Sequence, residues 1–396
     1  MHWLKSASLG LLLAACAHAQ MNDAGMYLMN LASGTSINSQ PMPMIMSSLG
    51  DWQTMLMGTA FVADTQQSGP RGGDKFFSTN WLMAAAQRPI GSNSALQLDL
   101  MLSLEPATVT DRRYPELFQT GEAAFGEPII DGQHPHNFIM ALGVHYTRAI
   151  NEHTIFDLYL APVGDPALGP AAFPHRASAA ELPQAPISHH WQDSTHIADD
   201  VITAGVAYRK FRLEASGFHG AEPGENRWTI DAGPVDSWSA RLWYRPSSHW
   251  AAQFSAGRLT HPEALEPGDQ VRATASVEYT RGGWSSSAIW GRNHNTATHH
   301  DLNSYLIESV RPIGSMNFIT GRAEMVDKDE LSVPGIYRIG AYTIGYTRDV
   351  NWFEQLETGI GANFTMYSMP DSLKPVYGNR PAAANLFIRL RLRGHP

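Results

Sequence analysis

The stretch that decides the fold is Val271-Arg272-Ala273-Thr274-Ala275-Ser276-Val277-Glu278-Tyr279-Thr280. Odd positions are apolar and even positions are polar or charged, so an extended chain here has one greasy and one wet face. Charges in mid-strand, at Arg272 and Glu278, suit a water-filled lumen and not the inner face of a soluble sandwich. Leu96, Leu98, Leu100, Leu102 and Leu104 alternate with Gln97, Asp99, Met101 and Ser103 in the same way. Near the C-terminus Leu386, Ile388, Leu390 and Leu392 alternate with Phe387, Arg389, Arg391 and Arg393.

Working outward, the connections between such runs alternate in length. Short turns fall near 89–94, 150–152, 209–210, 246–249, 281–283, 312–314 and 349–351; long polar loops fall near 64–74, 105–136, 163–200, 220–236, 260–270, 293–302, 326–336 and 367–384. That rhythm predicts an all-β fold: a closed antiparallel transmembrane β-barrel of about 16 strands, with short periplasmic turns and long extracellular loops. The last strand, near 385–393, nearly ends the chain and is placed to pair with the first near Trp52, so that no backbone is left unpaired in lipid. The runs 337–348 and 315–325 give no clean face, so the count carries a margin of two strands.

Composition agrees. Charged residues make up only 16% of the 396, while 34 glycines, 11 tryptophans and 13 tyrosines suit pleated strands and interfacial aromatic girdles. Outside the N-terminus no run of 18 apolar residues exists, which excludes a transmembrane helix and leaves a barrel open. A net charge of −9 without a basic cluster argues against nucleic acid as a partner.

Three segments follow. Residues 1–19 read as an export signal, with Lys5 in the basic region, an apolar core over 9–15, and Ala17-His18-Ala19 as the cleavage site. Leu13-Ala14-Ala15-Cys16 offers lipidation at Cys16, the chain's one cysteine, as the competing reading. Residues 20–51 form a Met-rich segment that lies in the periplasm or enters the lumen as a plug. The barrel occupies 52–396. The expected location is the outer membrane of a Gram-negative bacterium, integral, after Sec-type export.

Two side-chain clusters carry possible chemistry. His134, His136, His189, His190 and His196, with Asp131 and Asp193, lie in the two longest loops and supply ligand types for Zn²⁺ or Cu²⁺. Their spacing matches no defined metal motif; equally, the same side chains and Trp191 would pin the two loops together over or into the lumen. Met42, Met44 and Met46, at alternate positions, offer thioethers suited to Cu(I), or act as adaptable filler. The topology puts histidines and methionines on opposite sides of the membrane. Lumen-facing Arg272, Glu278, Glu357, Arg389 and Arg391 are the candidates for setting selectivity. Pro262-Glu263-Ala264-Leu265-Glu266-Pro267 reads as an architectural turn.

The blocks Gly72-Gly73-Asp74-Lys75-Phe76-Phe77-Ser78-Thr79-Asn80-Trp81, Met101-Leu102-Ser103-Leu104-Glu105-Pro106, 131–137, His175-Arg176-Ala177-Ser178 and 185–196 resemble a group of uncharacterised, porin-like outer-membrane β-barrels of Gram-negative bacteria. The resemblance covers most of the chain. It implies a barrel and hints at metal, especially copper, resistance, and it carries over no residue role.

The function expected is a porin-like channel for small polar solutes or ions with His-rich external loops, not an enzyme, requiring no cofactor. Outer-membrane lipid and the permeant solutes are its partners; many sixteen-stranded porins are homotrimers, but nothing in this sequence marks an interface, so the oligomeric state stays open. The first alternative is a Cu- or Zn-binding outer-membrane protein linked to metal resistance. The second is a surface barrel enzyme, which would need Ser188 or Ser194 to meet a histidine.

Overall fold

In the computed structural model, which describes residues 22–40 and 42–394, the strand at Gln270–Arg281 buries its polar face and exposes its apolar one. Arg272, Thr274, Ser276, Glu278 and Thr280 are buried, while Val271 and Val277 are exposed. A soluble protein does the reverse. Only a surrounding apolar solvent makes this the stable orientation, because the exposed side chains then meet lipid. The same inversion holds at Leu98, Leu100, Ile202, Leu213, Phe254, Ile307, Ile344 and Leu386 around the wall.

Sixteen strands form the wall: β1 Trp52–Gln67, β2 Asp74–Ile90, β3 Ser94–Leu102, β4 Ile139–Asn151, β5 Thr154–Gly164, β6 Ala198–Tyr208, β7 Phe211–Phe218 and β8 Ser237–Ser247. They continue as β9 Trp250–Leu259, β10 Gln270–Arg281, β11 Trp284–Asn295, β12 Asp301–Ile313, β13 Asn317–Lys328, β14 Tyr337–Asp349, β15 Leu356–Ser368 and β16 Ala382–Leu392. Each pairs antiparallel with its chain neighbour, and β16 returns to β1 in the register Ala383↔Gln67 to Arg391↔Thr59, closing the sheet. The lower part of β1 is completed by a separate edge strand, Ile45–Leu49, in the register Leu49↔Trp52 to Ile45↔Leu56. Among the described residues no helix is long and apolar enough to cross a membrane; strands do the crossing.

The strand count and closure follow the sequence reading. The two runs with no clean face are β13 and β14. They alternate after all: Thr320, Arg322 and Glu324 face in against Ile319 and Met325, and Thr343 and Thr347 face in against Tyr342, Ile344 and Tyr346. Small residues at Gly321, Ala323, Ala341 and Gly345 mute the polarity signal on one face or the other. The export signal, including Cys16, lies outside the described residues.

Three internal features matter for function, and two of them, a loop and the N-terminal segment inside the lumen, are alternatives that the sequence reading left open. The loop between β3 and β4 carries its own hairpin, Tyr114–Ala124 with Glu127–Gln133. The loop between β5 and β6 does not project outward but fills the lumen, its residues 165–197 almost entirely buried. Residues 22–40 enter from the other end and pack inside as well, with Ala24, Leu28 and 32–39 buried.

Candidate metal centre

The lumen is a polar core in which wall residues hold the two inserts. Arg176, fully buried, pairs with Asp193 (2.7 Å) of its own loop and with Glu308 (2.6 Å) of β12, and Glu308 also pairs with Arg322 at 2.9 Å. The Ser188 hydroxyl donates to Glu324 (2.7 Å). From the N-terminal segment, Ser39 donates through its backbone N–H (2.9 Å) and hydroxyl (2.7 Å) to Glu278. The Asn38 side-chain amide donates to the His175 carbonyl at 2.8 Å, so the two inserts touch.

The five residues named for selectivity all face the lumen, but four of them, Arg272, Glu278, Arg389 and Arg391, hold the inserts, while Glu357 lines a cavity beside Arg391. Arg272 donates to Ser194 (2.8 Å) and Asn293 (2.9 Å). Glu278 binds Ser39. Arg389 pairs with Glu181 and with Asp349 (2.5 Å). Arg391 donates to the Ala180 carbonyl (2.6 Å) and lies 3.5 Å from Glu357.

Against this frame the five histidines converge. Ring centroids are 5.5 Å apart for His134 and His190, 5.3 Å for His189 and His190, 5.4 Å for His189 and His196, and 5.3 Å for His136 and His196. His136 Nδ1 lies 2.9 Å from Glu105 Oε1, and its backbone N–H donates to Glu105 Oε2 at 2.9 Å. His189 Nδ1 lies 2.7 Å from Asp193 Oδ1, and His196 Nδ1 donates to the Asp193 carbonyl at 2.8 Å. A carboxylate or carbonyl oxygen only accepts, so each of these Nδ1 atoms carries the proton and leaves Nε2 with a free lone pair. The Nε2 atoms of His136 and His196 are buried and without a hydrogen-bond partner. Nδ1 held by an oxygen with Nε2 free is how metal-ligating histidines are prepared.

Electrostatics keeps the His134, His189 and His196 rings neutral. Burial, then the neighbouring His190 and His189, push His134 well below its ordinary value. Burial followed by His136 and His189 does the same to His196, and burial takes His189 down to about 4 against the pull of Asp193. Asp193 is held well below the carboxylate range: burial opposes this, and Arg176 and then His189 outweigh it.

A second group sits at the outer end. One ligand atom each from His190, Glu222 and Glu263 lie within 4.8 Å of one another. His190 and Glu263 border a cavity of about 30 Å³ that Glu266, Asp329 and Glu330 also line. Burial, then Glu330, drives Glu263 upward; burial and then Asp329 take Glu330 up to about 7. Crowded carboxylates around an imidazole suit a divalent cation, which would relieve that repulsion. Gly121 makes room here: its φ is +115°, and a Cβ would lie 2.5–2.7 Å from the His190 ring.

The candidates named from sequence therefore sort by position. His134, His136, His189, His190 and His196 come together. Asp193 joins them as a support already engaged by Arg176 and His189. Asp131 is elsewhere: its carboxylate accepts from the Phe118 N–H (2.8 Å), Arg71 and the Tyr377 hydroxyl, pinning the loop hairpin. Met44 is buried and Met42 packs beside it, but Met46 points outward on the edge strand, 37% exposed, so the three thioethers do not share a site. The methionine segment and the histidine loops are not held apart on opposite sides of the membrane: Met42 and His136 line one cavity, and the Asn38 amide donates to the His175 carbonyl at 2.8 Å inside the lumen. Ser188 and Ser194 bind Glu324 and Arg272, not an imidazole. Sequence reasoning missed Glu105, Glu122 (3.0 Å from His134), Glu222 and Glu263 as partners of the histidines. The turn that holds Glu263 is more than architecture. No local spacing signals these carboxylates: Glu105 and Glu122 share the loop of His134 and His136 but stand 12 or more residues before them, and Glu222 and Glu263 arrive from two other loops.

These features define a sixteen-stranded porin-type barrel with its lumen occupied by its own chain. No protein-family model and no curated protein matches the chain. Among solved structures it is similar to the anion-selective porin from Comamonas acidovorans, at a TM-score of 0.56 and 12% identity, covering 86% of this chain and 100% of that one. It is likewise similar to Salmonella typhi OmpF in a complex with daunomycin, at 0.56 and 9%, covering 87% and 100%. At such identities the likeness establishes the porin fold.

Proposed function

We propose that the protein is an outer-membrane channel-type barrel whose conduction is restricted by its internal loops and whose lumen binds a divalent transition metal, Zn²⁺ or Cu²⁺, at the histidine cluster. The observation that carries the reading is the set of buried imidazoles whose Nδ1 atoms are fixed by Glu105 and Asp193 while the His136 and His196 Nε2 atoms stay free. Neutral imidazole with borderline-hard carboxylate neighbours is the donor set that Zn²⁺ and Cu²⁺ favour. The small solutes that pass are then those that reach the lumen when the loop between β5 and β6 shifts.

The test combines single-channel recording with metal titration of the refolded protein. The expected result is sparse current at neutral pH, stoichiometric Zn²⁺ binding, and loss of that binding when His134, His136, His189, His190 and His196 are all changed to alanine. Large porin-like steps together with unchanged binding in the variant would refute both halves of the reading.

A further inference from the structure

The lumen holds a second, chemically distinct patch. One buried apolar cluster on the inner wall contains eleven residues, six of them methionine and none leucine. Another cluster of eleven buried residues has four leucines, Leu117, Leu302, Leu331 and Leu373, and no methionine among them. Thioethers are therefore concentrated here and not spread through the core as filler.

Their arrangement is ordered by register. Met57 of β1 is directly opposite Met83 of β2, which is directly opposite Met101 of β3. All three face inward and are under one-tenth exposed. Directly opposed residues on adjacent strands stand about 4.5–5.5 Å apart at their Cα atoms, so the three methionines share one level of the wall. The His175 ring comes down on this row from the loop between β5 and β6, its Nε2 3.0 Å from Met101 Sδ and its centroid 4.4 Å from the Trp81 ring. Its Nδ1 is buried without a partner. A buried imidazole whose sole polar neighbour is a thioether, a weak acceptor, is a group that needs explaining. Burial, and after it His136, keeps the ring neutral, pushing it down to about 3. A cavity of about 360 Å³ reaches Met57, Trp81 and His175 from the turn at Gly283, on the short-turn rim.

We propose that the thioethers of Met57, Met83 and Met101, with the imidazole of His175, form a binding site for a soft monovalent cation, Cu(I) or Ag(I), reached from the periplasmic side. Thioether sulfur discriminates against Zn²⁺, Ca²⁺ and Mg²⁺ and selects the d¹⁰ monovalent ions. A site made of neutral donors alone suits one positive charge better than two, because no carboxylate offsets the second. The site does not rest on the histidine cluster, which uses different residues and a different class of ion.

The experiment uses the full-length folded barrel in detergent with ¹³C-methyl methionine labelling and Ag(I) as the probe. The expected result is one strong equivalent of Ag(I) that shifts the methyl signals of Met57, Met83 and Met101 and leaves exposed Met26 and Met46 unmoved. Met83→Leu/Met101→Leu, a volume-conserving pair, should keep the folded barrel's gel mobility. It should weaken Ag(I) at least as much as the roughly 10–100-fold that lost supporting contacts cost metal sites, with Zn²⁺ affinity unchanged. Unmoved methyl signals in the wild-type protein overturn the proposal without reference to any variant. So does Ag(I) binding that survives Met83→Leu/Met101→Leu and disappears in the five-histidine alanine variant, which would assign the ion to the histidines. Loss of Zn²⁺ binding in that variant with Ag(I) retained separates the two sites.

Discussion

Replacing Arg176 with methionine should undock the loop between β5 and β6 while leaving the barrel wall intact. The guanidinium bridges Asp193, which positions His189 and His196, and Glu308 on β12, with all three groups essentially inaccessible to solvent. Methionine matches the length of the arginine stem but carries no charge. Glu308 would still have Arg322 at 2.9 Å and the Ser178 hydroxyl at 2.8 Å. Asp193 would keep only His189 at 2.7 Å, whose ring is neutral at pH 7. Stranding a buried charge in this way costs about 3–5 kcal/mol. The strand ladder does not depend on Arg176, so the cost falls on loop docking, and the undocked population should rise by roughly two to four orders of magnitude. Native-state hydrogen exchange over residues 177–192 measures it directly: protection there should collapse while that of β10–β12 persists. Stepwise currents should appear in the same variant. Unchanged exchange in 177–192, with a silent channel, would refute the view that this ion-pair hub holds the lumen shut.

Acid should also open the lumen. His134, His189 and His196 have lowered folded-state values, so below about 6.5 the undocked loop binds more protons than the docked one. Docking stability is then full at neutral pH and is lost as pH falls through 6.5 towards about 4, at about 1.4 kcal/mol per histidine per pH unit; a conductance that stays flat between pH 7.5 and 4.5 would contradict this. Glu105→Gln keeps the shape beside His136 but loses the charge that fixes its tautomer, and Zn²⁺ affinity measured calorimetrically should fall by about 10–100-fold. Ile344→Arg, on the lipid face of β14, should cost about 2–4 kcal/mol in urea unfolding from bilayers if it sits near the midplane; an effect below 1 kcal/mol would place that strand outside the hydrocarbon.

The barrel was legible because its code is local: one face of each strand is wet, and a turn follows at a regular interval. β10 announces itself through Arg272 and Glu278 alone. β13 and β14 were hidden because Gly321, Ala323, Ala341 and Gly345 carry no polarity to read. The histidine cluster was half legible. HPH and HH pairs mark the loops that bear it, but Glu105 stands 31 residues before His136 in its own loop, and Glu222 and Glu263 come from two other connections that only closure of the sheet brings near. Asp131 shows the converse, since adjacency to His134 in sequence sends its side chain to Phe118 and Arg71. The methionine row was invisible because Met57, Met83 and Met101 are 26 and 18 residues apart, and their alignment is a property of strand register.

The seam of the barrel has a consequence for assembly. One edge of β1 is divided: residues 52–56 take the strand Ile45–Leu49, and residues 59–67 take β16, the last strand to be made. Until the C-terminal strand arrives, the upper part of that edge is unsatisfied, while the lower part is already occupied by a tight local hairpin. The hairpin therefore acts as a primer, holding the template straight and leaving free only the length that the final strand needs. Residues 22–40 precede it and lie inside the finished barrel. A hairpin lengthened by a few residues would compete with β16 for the same hydrogen bonds and leave the insert outside a barrel that cannot close.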